Sequence, residues 1–174
     1  MSKPIPAVVE PTAADSPVSA DRLRSAMGRF PTGVTITTTL DRAGNPRGFT
    51  AGSLVSVSLE PPLISVCVAY TANCYQAFAD CDSFAVSVLR HDQGQLARTF
   101  ASKGADKFAA GGFTRTAGGL PVVDGAVVAL ECDVHGRHAA GDHVILVGRV
   151  RTADIADGDQ LLFADRLFSR LSRS

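Results

Sequence analysis

Side chains able to bind a metal crowd one stretch, Cys132-x-x-His135-x-x-His138-x4-His143, with Asp133 and Asp142 beside them. Zinc accepts thiolate, imidazole and carboxylate ligands of this kind. The paired spacing of most zinc sites is missing, however. Gly136, Gly141 and the alanines between them read as a hairpin loop that follows a strand carrying Cys132 on its inward face. Loop histidines and no metal are therefore the expectation, with a metal-dependent enzyme kept as a rival reading. The remaining motif chemistry is defined by what the chain lacks. It contains no G-x-G-x-x-G and no G-x-x-x-x-G-K-[ST], so the two common phosphate-cradling loops are missing, and neither G-x-S-x-G nor H-E-x-x-H occurs. A bound nucleotide cofactor would have to be held by some other geometry.

The cysteines point the same way. Cys67, Cys74, Cys81 and Cys132 form no C-x-x-C pair. Cys67 and Cys132 sit in apolar, strand-like runs, where a thiol behaves as a small hydrophobe. Reduced, structural thiols in a cytoplasmic protein are expected.

The elements that must position these groups follow from periodicity. The 174 residues, 45% of them apolar, suffice for one domain with a real core. Charge is balanced at 17 Lys plus Arg against 17 Asp plus Glu, which argues against a nucleic-acid partner. No apolar run approaches the roughly 20 residues of a membrane span, and the amino terminus lacks the apolar segment of a secretory signal. Residues 1–18 hold four of the nine prolines and read as a disordered tail, with the domain proper over 19–174.

A helix is predicted from an N-cap at Ser19, with Leu23, Ala26, Met27 and Phe30 on one face. The period then changes to two. Val34 and Ile36 alternate with threonines, Asp41 to Pro46 make a turn, and Val55, Val57 and Leu59 alternate with serines up to Glu60-Pro61-Pro62. Leu63 to Ala69 is a continuous apolar run, as in a strand buried on both faces. Further strands are predicted around Phe84–Val88, Val128–Val134 and Val144–Val150. Short helices are predicted over Cys74–Asp80, Gln93–Ser102 and Gln160–Leu171. About six strands with peripheral helices, and no regular strand–helix alternation, predict an antiparallel barrel rather than a doubly wound sheet.

A distributed set of motifs is more specific than any single one. Phe30-Pro31-Thr32-Gly33-Val34, Gly48-Phe49-Thr50-Ala51-Gly52-Ser53 and Ser56-Val57-Ser58-Leu59-Glu60-Pro61-Pro62 follow one another closely. Then come Asn73-Cys74, Phe84-Ala85-Val86-Ser87-Val88-Leu89, Asp106-Lys107-Phe108 and Gly141-Asp142-His143. In this order, from about Leu23 to Val150, they resemble the flavin reductase-like family, and most closely its small NAD(P)H:flavin oxidoreductases. The resemblance implies a mostly β fold, the FMN-binding split β-barrel, antiparallel and Greek-key-like with peripheral helices. It implies a homodimer that completes its flavin pocket across the two-fold axis. It also implies an enzyme that moves hydride from NADH or NADPH to FMN or FAD and supplies reduced flavin to a transient partner, a flavin-dependent monooxygenase component.

The same resemblance assigns roles. Small residues Thr50, Ala51 and Ser53 would bring backbone N–H groups and hydroxyls close to the flavin ring, with Thr32 and Cys67 near it and Phe100 packing from the preceding helix. Asn73 and Cys74 open a helix whose free N–H groups suit a phosphate, and Lys107 would neutralise that phosphate. Family members often carry serine where this chain has Cys74, so only the backbone donor is common to both. His143 would lie near the nicotinamide nucleotide. No side chain is assigned as a catalytic acid, base or nucleophile, because hydride transfer follows from proximity and exclusion of water. At the carboxy terminus the family's aromatic and arginine are replaced by Ala164 and Asp165, which bears on nicotinamide binding. That departure keeps one alternative open, a non-enzymatic flavin-binding or electron-transfer protein on the same fold.

Overall fold

The computed structural model describes residues 18–104 and 106–171. Most of the tail predicted over residues 1–18 thus lies outside the described residues. The elements run α1 (Ala20–Met27), β1 (Thr32–Gly33), β2 (Thr35–Leu40), β3 (Pro46–Ala51), β4 (Val55–Leu59), β5 (Pro62–Ala69), α2 (Tyr75–Asp80) and β6 (Ser83–Val88). They continue with α3 (Gly94–Ala101), β7 (Phe113–Arg115), β8 (Pro121–Val123), β9 (Val128–Ala140), β10 (His143–Ile155), β11 (Leu162–Ala164) and β12 (Leu167–Ser169). No helix among the described residues is long and apolar enough to cross a membrane.

Seven strands form one antiparallel sheet in the order β3-β2-β6-β9-β10-β5-β4. Laid flat, its two edge strands would stand about 29 Å apart at the usual strand spacing. Yet β3 ends at Ala51 and β4 begins at Val55, a link that spans at most about 14 Å. The sheet must therefore curl until its edges nearly meet, which makes a barrel split along one seam. Gly52, Ser53 and Leu54 cross that seam.

Two large apolar cores result, with a small third cluster of Ala85, Leu120 and Val122. Ile64, Val66, Val68, Phe84, Val86, Cys132 and Leu146 pack with Phe78 of α2, whose ring meets Phe49 edge-on at 5.1 Å. Val34, Ile36, Leu89 and Leu161 pack with Ala97 and Phe100 of α3.

Several elements follow their predicted form. Ser19 caps α1, its hydroxyl accepting from Arg22 N at 3.3 Å. The Asp41 carboxylate closes the β2–β3 turn by accepting from Ala43 N and Asn45 N. Cys74 precedes α2, and Gln93 and Ser102 flank α3.

Three expectations are corrected. The helix predicted over 160–171 is a hairpin, β11–β12, whose turn residues Asp165 and Arg166 take φ of 49° and 64°. Backbone pairing wins there, since β11 pairs with β1 and Leu161 N donates to Leu89 O at 2.8 Å. The loop predicted after Val134 is strand. β9 continues to Ala140, so the turn shrinks to Gly141 and Asp142, with Gly141 at φ 59°. Finally, β5 is buried on one face only: Ile64, Val66 and Val68 point inward, while Cys67 and Ala69 are half-buried on the other side.

Candidate functional site

Beside the seam lies a cleft of about 420 Å3. One wall is the end of β3, where Thr50 and Ala51 lead into Gly52 and Ser53. Packing fixes this wall tightly. The Thr50 hydroxyl donates to Ala97 O at 2.7 Å, tying β3 to α3. A Cβ on Gly48 would come within 3.0 Å of both the Phe100 ring and Thr37 O, so only glycine lets α3 approach this closely. Across the seam, the Ser53 hydroxyl accepts from Cys67 N at 2.9 Å, and Cys67 lines the facing wall.

The far end is built by α2 and the loop after α3. Asn73 is exposed there, while Cys74 is buried and caps α2 without a side-chain hydrogen bond. Burial pushes the Cys74 thiol up, opposed by the nearby charge of Lys107. The Lys107 ammonium donates to Phe100 O at 2.7 Å and Gly48 O at 3.3 Å. Burial holds its pKa below the usual lysine value. Among the described residues no carboxylate pairs with it. A half-buried cation that meets two carbonyl dipoles and the Phe100 ring, and no carboxylate among the described residues, suits an anionic ligand group at a cleft.

His143 stands on the β10 side of the cleft, its Nδ1 2.7 Å from Asp142 Oδ1. That hydrogen bond lowers the Asp142 pKa and fixes the ring against the turn.

The predicted residues thus converge: Thr50, Ala51, Ser53, Cys67, Asn73, Cys74, Phe100, Lys107 and His143 all border this one cleft. Thr32 does not. It backs Gly52 instead, where a Cβ would sit 2.7 Å from its hydroxyl. The Phe100 ring is only 1% exposed and packs on Phe108 and Phe113, so it supports the cleft from beneath. Sequence reasoning missed Ala69, Ala72, Ala101 and Lys103. Alanines carry no signal, but a second lysine four residues before Lys107 could have been noticed.

Lys107, Asn73 and Cys74 form a shared wall with a second cleft of about 620 Å3, which runs on past Asn45, Pro46 and Arg47.

The possible metal ligands do not converge. Cys132 is fully buried in the core beside Phe84, its thiol pushed up to about 12 by burial, while His135 and His138 are exposed. Among the described residues no three His, Cys, Asp or Glu side chains are placed to hold a metal ion. Ala164 and Asp165 lie away from the cleft. Asp165 pairs with Arg29 at 3.2 Å, and its N–H donates to Gly28 O at 2.7 Å.

Residues 27–172 match a family model described as a flavin reductase like domain. The actinorhodin polyketide dimerase of Streptomyces coelicolor is 54% identical over 150 residues, which cover 86% of this chain and 85% of that protein. Among solved structures, the NADH:FAD oxidoreductase of Streptomyces globisporus, in complex with NAD and FAD fragments, is similar at TM-score 0.83 and 40% identity, over 87% of this chain and 92% of that one. The flavin reductase component of a bacterial two-component tryptophan halogenase is similar at TM-score 0.82 and 36% identity, over 90% of this chain and 100% of that one.

Proposed function

The chain belongs to the flavin reductase-like family, and on that premise we propose that it reduces FMN or FAD with NADH or NADPH and supplies the reduced flavin to a separate monooxygenase. The carrying observation is convergence. Nine of the ten residues that the resemblance assigns, all but Thr32, border a single cleft with a half-buried lysine at one end and a histidine on its β10 side.

When bound, the flavin supplies the ring that takes hydride from reduced nicotinamide. The chain's own residues bind and orient. Lys107 balances the flavin phosphate, with backbone donors near Asn73 and Cys74 beside it. Thr50, Ala51 and Ser53 set the ring edge, held rigid by the Thr50–Ala97 and Ser53–Cys67 hydrogen bonds. Thr32, behind Gly52, fixes the course of this segment. Cys67 lines the opposite wall, and Phe100 supports it from the core. His143, steadied by Asp142, orients the nicotinamide nucleotide. No proton need move through a side chain, and the cleft's task is to hold the two reactants together.

The same proposal includes a homodimer in the cytoplasm. Leu23, Met27 and Phe30 at α1, and Val55, Val57 and Leu59 on the edge strand β4, are all exposed apolar side chains, as at a subunit interface. All four cysteines are free thiols, which suits a reducing compartment.

Mixing the purified protein with NADH or NADPH and FMN or FAD, and following the nicotinamide absorbance, tests the activity. Flavin-dependent oxidation of one donor is expected. Flavin binding without oxidation of either donor would instead favour a carrier protein.

A further inference from the structure

We propose that Lys103 is the cation that draws flavin nucleotides into the first cleft and delivers them to Lys107. It sets how fast a phosphate-bearing flavin enters, whereas Lys107 sets how tightly that flavin is held. The proposal rests on the reading above, in which this cleft takes the flavin ring and Lys107 meets its phosphate. The chain as a whole is neutral, with 17 Lys plus Arg against 17 Asp plus Glu. The lining of this cleft is one-sided. Lys103, Lys107 and His143 border it, and no Asp or Glu does among the described residues. Its neighbours are mixed. The second cleft sets Asp106 beside Lys107 and Arg47. A third, of about 740 Å3 between α2 and the β2–β3 turn, holds Asp41, Asp80 and Asp82 against Arg42 and Arg47.

The two lysines are held differently. The Lys107 ammonium is half-buried and fixed between Phe100 O and Gly48 O. Lys103 is exposed, with no hydrogen-bond or ion-pair partner among the described residues. Its backbone is placed all the same. Ser102 closes α3, its N–H and its hydroxyl both donating to Thr99 O, and Gly104 follows Lys103 at φ 82°. Lys103 is thereby kept at the rim of the cleft, four residues ahead of Lys107. An exposed ammonium stays hydrated and adds little to the affinity of a bound anion. Its field nevertheless reaches about 8 Å at physiological ionic strength, far enough to bias an approaching phosphate. A cleft bordered by one sign of charge focuses that field and raises association rates. Capture and retention therefore divide between an outer and an inner lysine. Riboflavin, with no phosphate, gains from neither.

Stopped-flow mixing of the intact protein with FMN or riboflavin, followed by flavin fluorescence at low and high salt, tests this. At low salt Lys103→Gln should slow FMN association about three- to tenfold, with its dissociation rate within about twofold of the wild type. Lys103→Arg, which keeps the charge, should keep the wild-type association rate. Riboflavin should associate equally fast with all three proteins, and high salt should bring their FMN rates together. Unchanged FMN association in Lys103→Gln overturns the proposal and leaves the flavin reading standing. So does a loss confined to the dissociation rate, an equal slowing of riboflavin, a slow Lys103→Arg, or a difference that high salt leaves intact. If neither flavin binds the wild type, the flavin reading falls and this proposal with it.

Discussion

The Lys107 ammonium donates to the carbonyl oxygen of Phe100 at 2.7 Å, so one charge both ties down the carboxy-terminal end of α3 and faces the cleft. A helix leaves its last carbonyls without intrahelical partners, and a cation there is favourable in its own right. Lys107→Met should therefore do two separable things. Removing a charge-assisted contact should weaken FMN binding by about tenfold to a hundredfold, while riboflavin, which lacks a phosphate, should bind within about twofold of the wild type. The unfolding midpoint should also drop modestly. Titrating both flavins into both proteins decides the matter, and equal loss for the two ligands would remove Lys107 from the phosphate site. A pH arm follows. Because burial lowers the Lys107 pKa from 10.5, the lysine loses its charge earlier as pH rises. The FMN-over-riboflavin preference should start to decline below that ordinary value.

Within β2, three threonines share one buried face. The Thr35 hydroxyl donates to Ala51 O at 2.9 Å, and that of Thr39 donates to Ser83 O at 2.8 Å. The Thr37 hydroxyl, between them, is buried among the described residues without a hydrogen-bond partner. Leaving a hydroxyl so buried costs about 1–3 kcal/mol, and valine keeps its shape without the polar atom. Thr37→Val should raise stability by about 1 kcal/mol in urea unfolding. Thr35→Val should lower it by a similar amount, since the Ala51 carbonyl loses its donor. If Thr37→Val destabilises as much as Thr35→Val, the hydroxyl has a partner after all.

The Phe84 ring lies across Gly148, two strands away in the sheet. A Cβ on Gly148 would come within 2.4 Å of Phe84 Cζ and 2.9 Å of Cys132 Cβ. Phe84 is fully buried, so its ring has nowhere to move. Gly148→Ala should cost about 1–3 kcal/mol through overpacking. Pairing it with Phe84→Leu should recover part of that loss, because the shorter side chain vacates the clash. Additive losses in the double mutant would show that the ring is not what excludes the methyl group.

Local signals were readable where the chain decides its own conformation. Ser19 caps α1 as its residue type suggests, and the Asp41–Pro46 turn joins two strands of period two. The cleft was readable too, although its residues are scattered, because a resemblance reports long-range proximity that no local window holds. What failed was local pattern overruled by distant pairing. Leu161, Ala164, Phe168 and Leu171 satisfy helical spacing, yet β1 offers Leu162 and Phe163 a ladder, and Phe168 packs on Gly94 beneath Arg98. The stretch His135–Ala140 looked like a loop because its glycine and alanines carry no apolar alternation. β10 pairs with it regardless. Burial of Thr37 and Glu131 was likewise out of reach, since a polar residue in a strand reads as solvent-facing until its neighbours are known.

Glu131 carries the last prediction. Alternation along β9 turns it away from Cys132, yet its carboxylate is buried beneath the loop that precedes β8. Gly118 N donates to it at 3.2 Å, and the Arg151 guanidinium pairs with it from β10. The Thr116 hydroxyl, followed by the Gly118 N–H and Arg151, holds the carboxyl below its ordinary value of 4.5, although burial opposes this. The sign follows directly. A carboxyl with a depressed folded-state pKa adds stability that is present in full above its unfolded value. That stability is lost as pH falls through the folded one. Glu131→Gln, which cannot ionise, should be less stable than the wild type by about 1–3 kcal/mol near neutral pH. The gap should persist in full above the ordinary carboxyl value of 4.5 and close progressively as pH falls below it. Urea unfolding of both proteins across that range provides the check. A gap that stays constant to the acid end would mean that the Glu131 charge contributes nothing and only its shape matters.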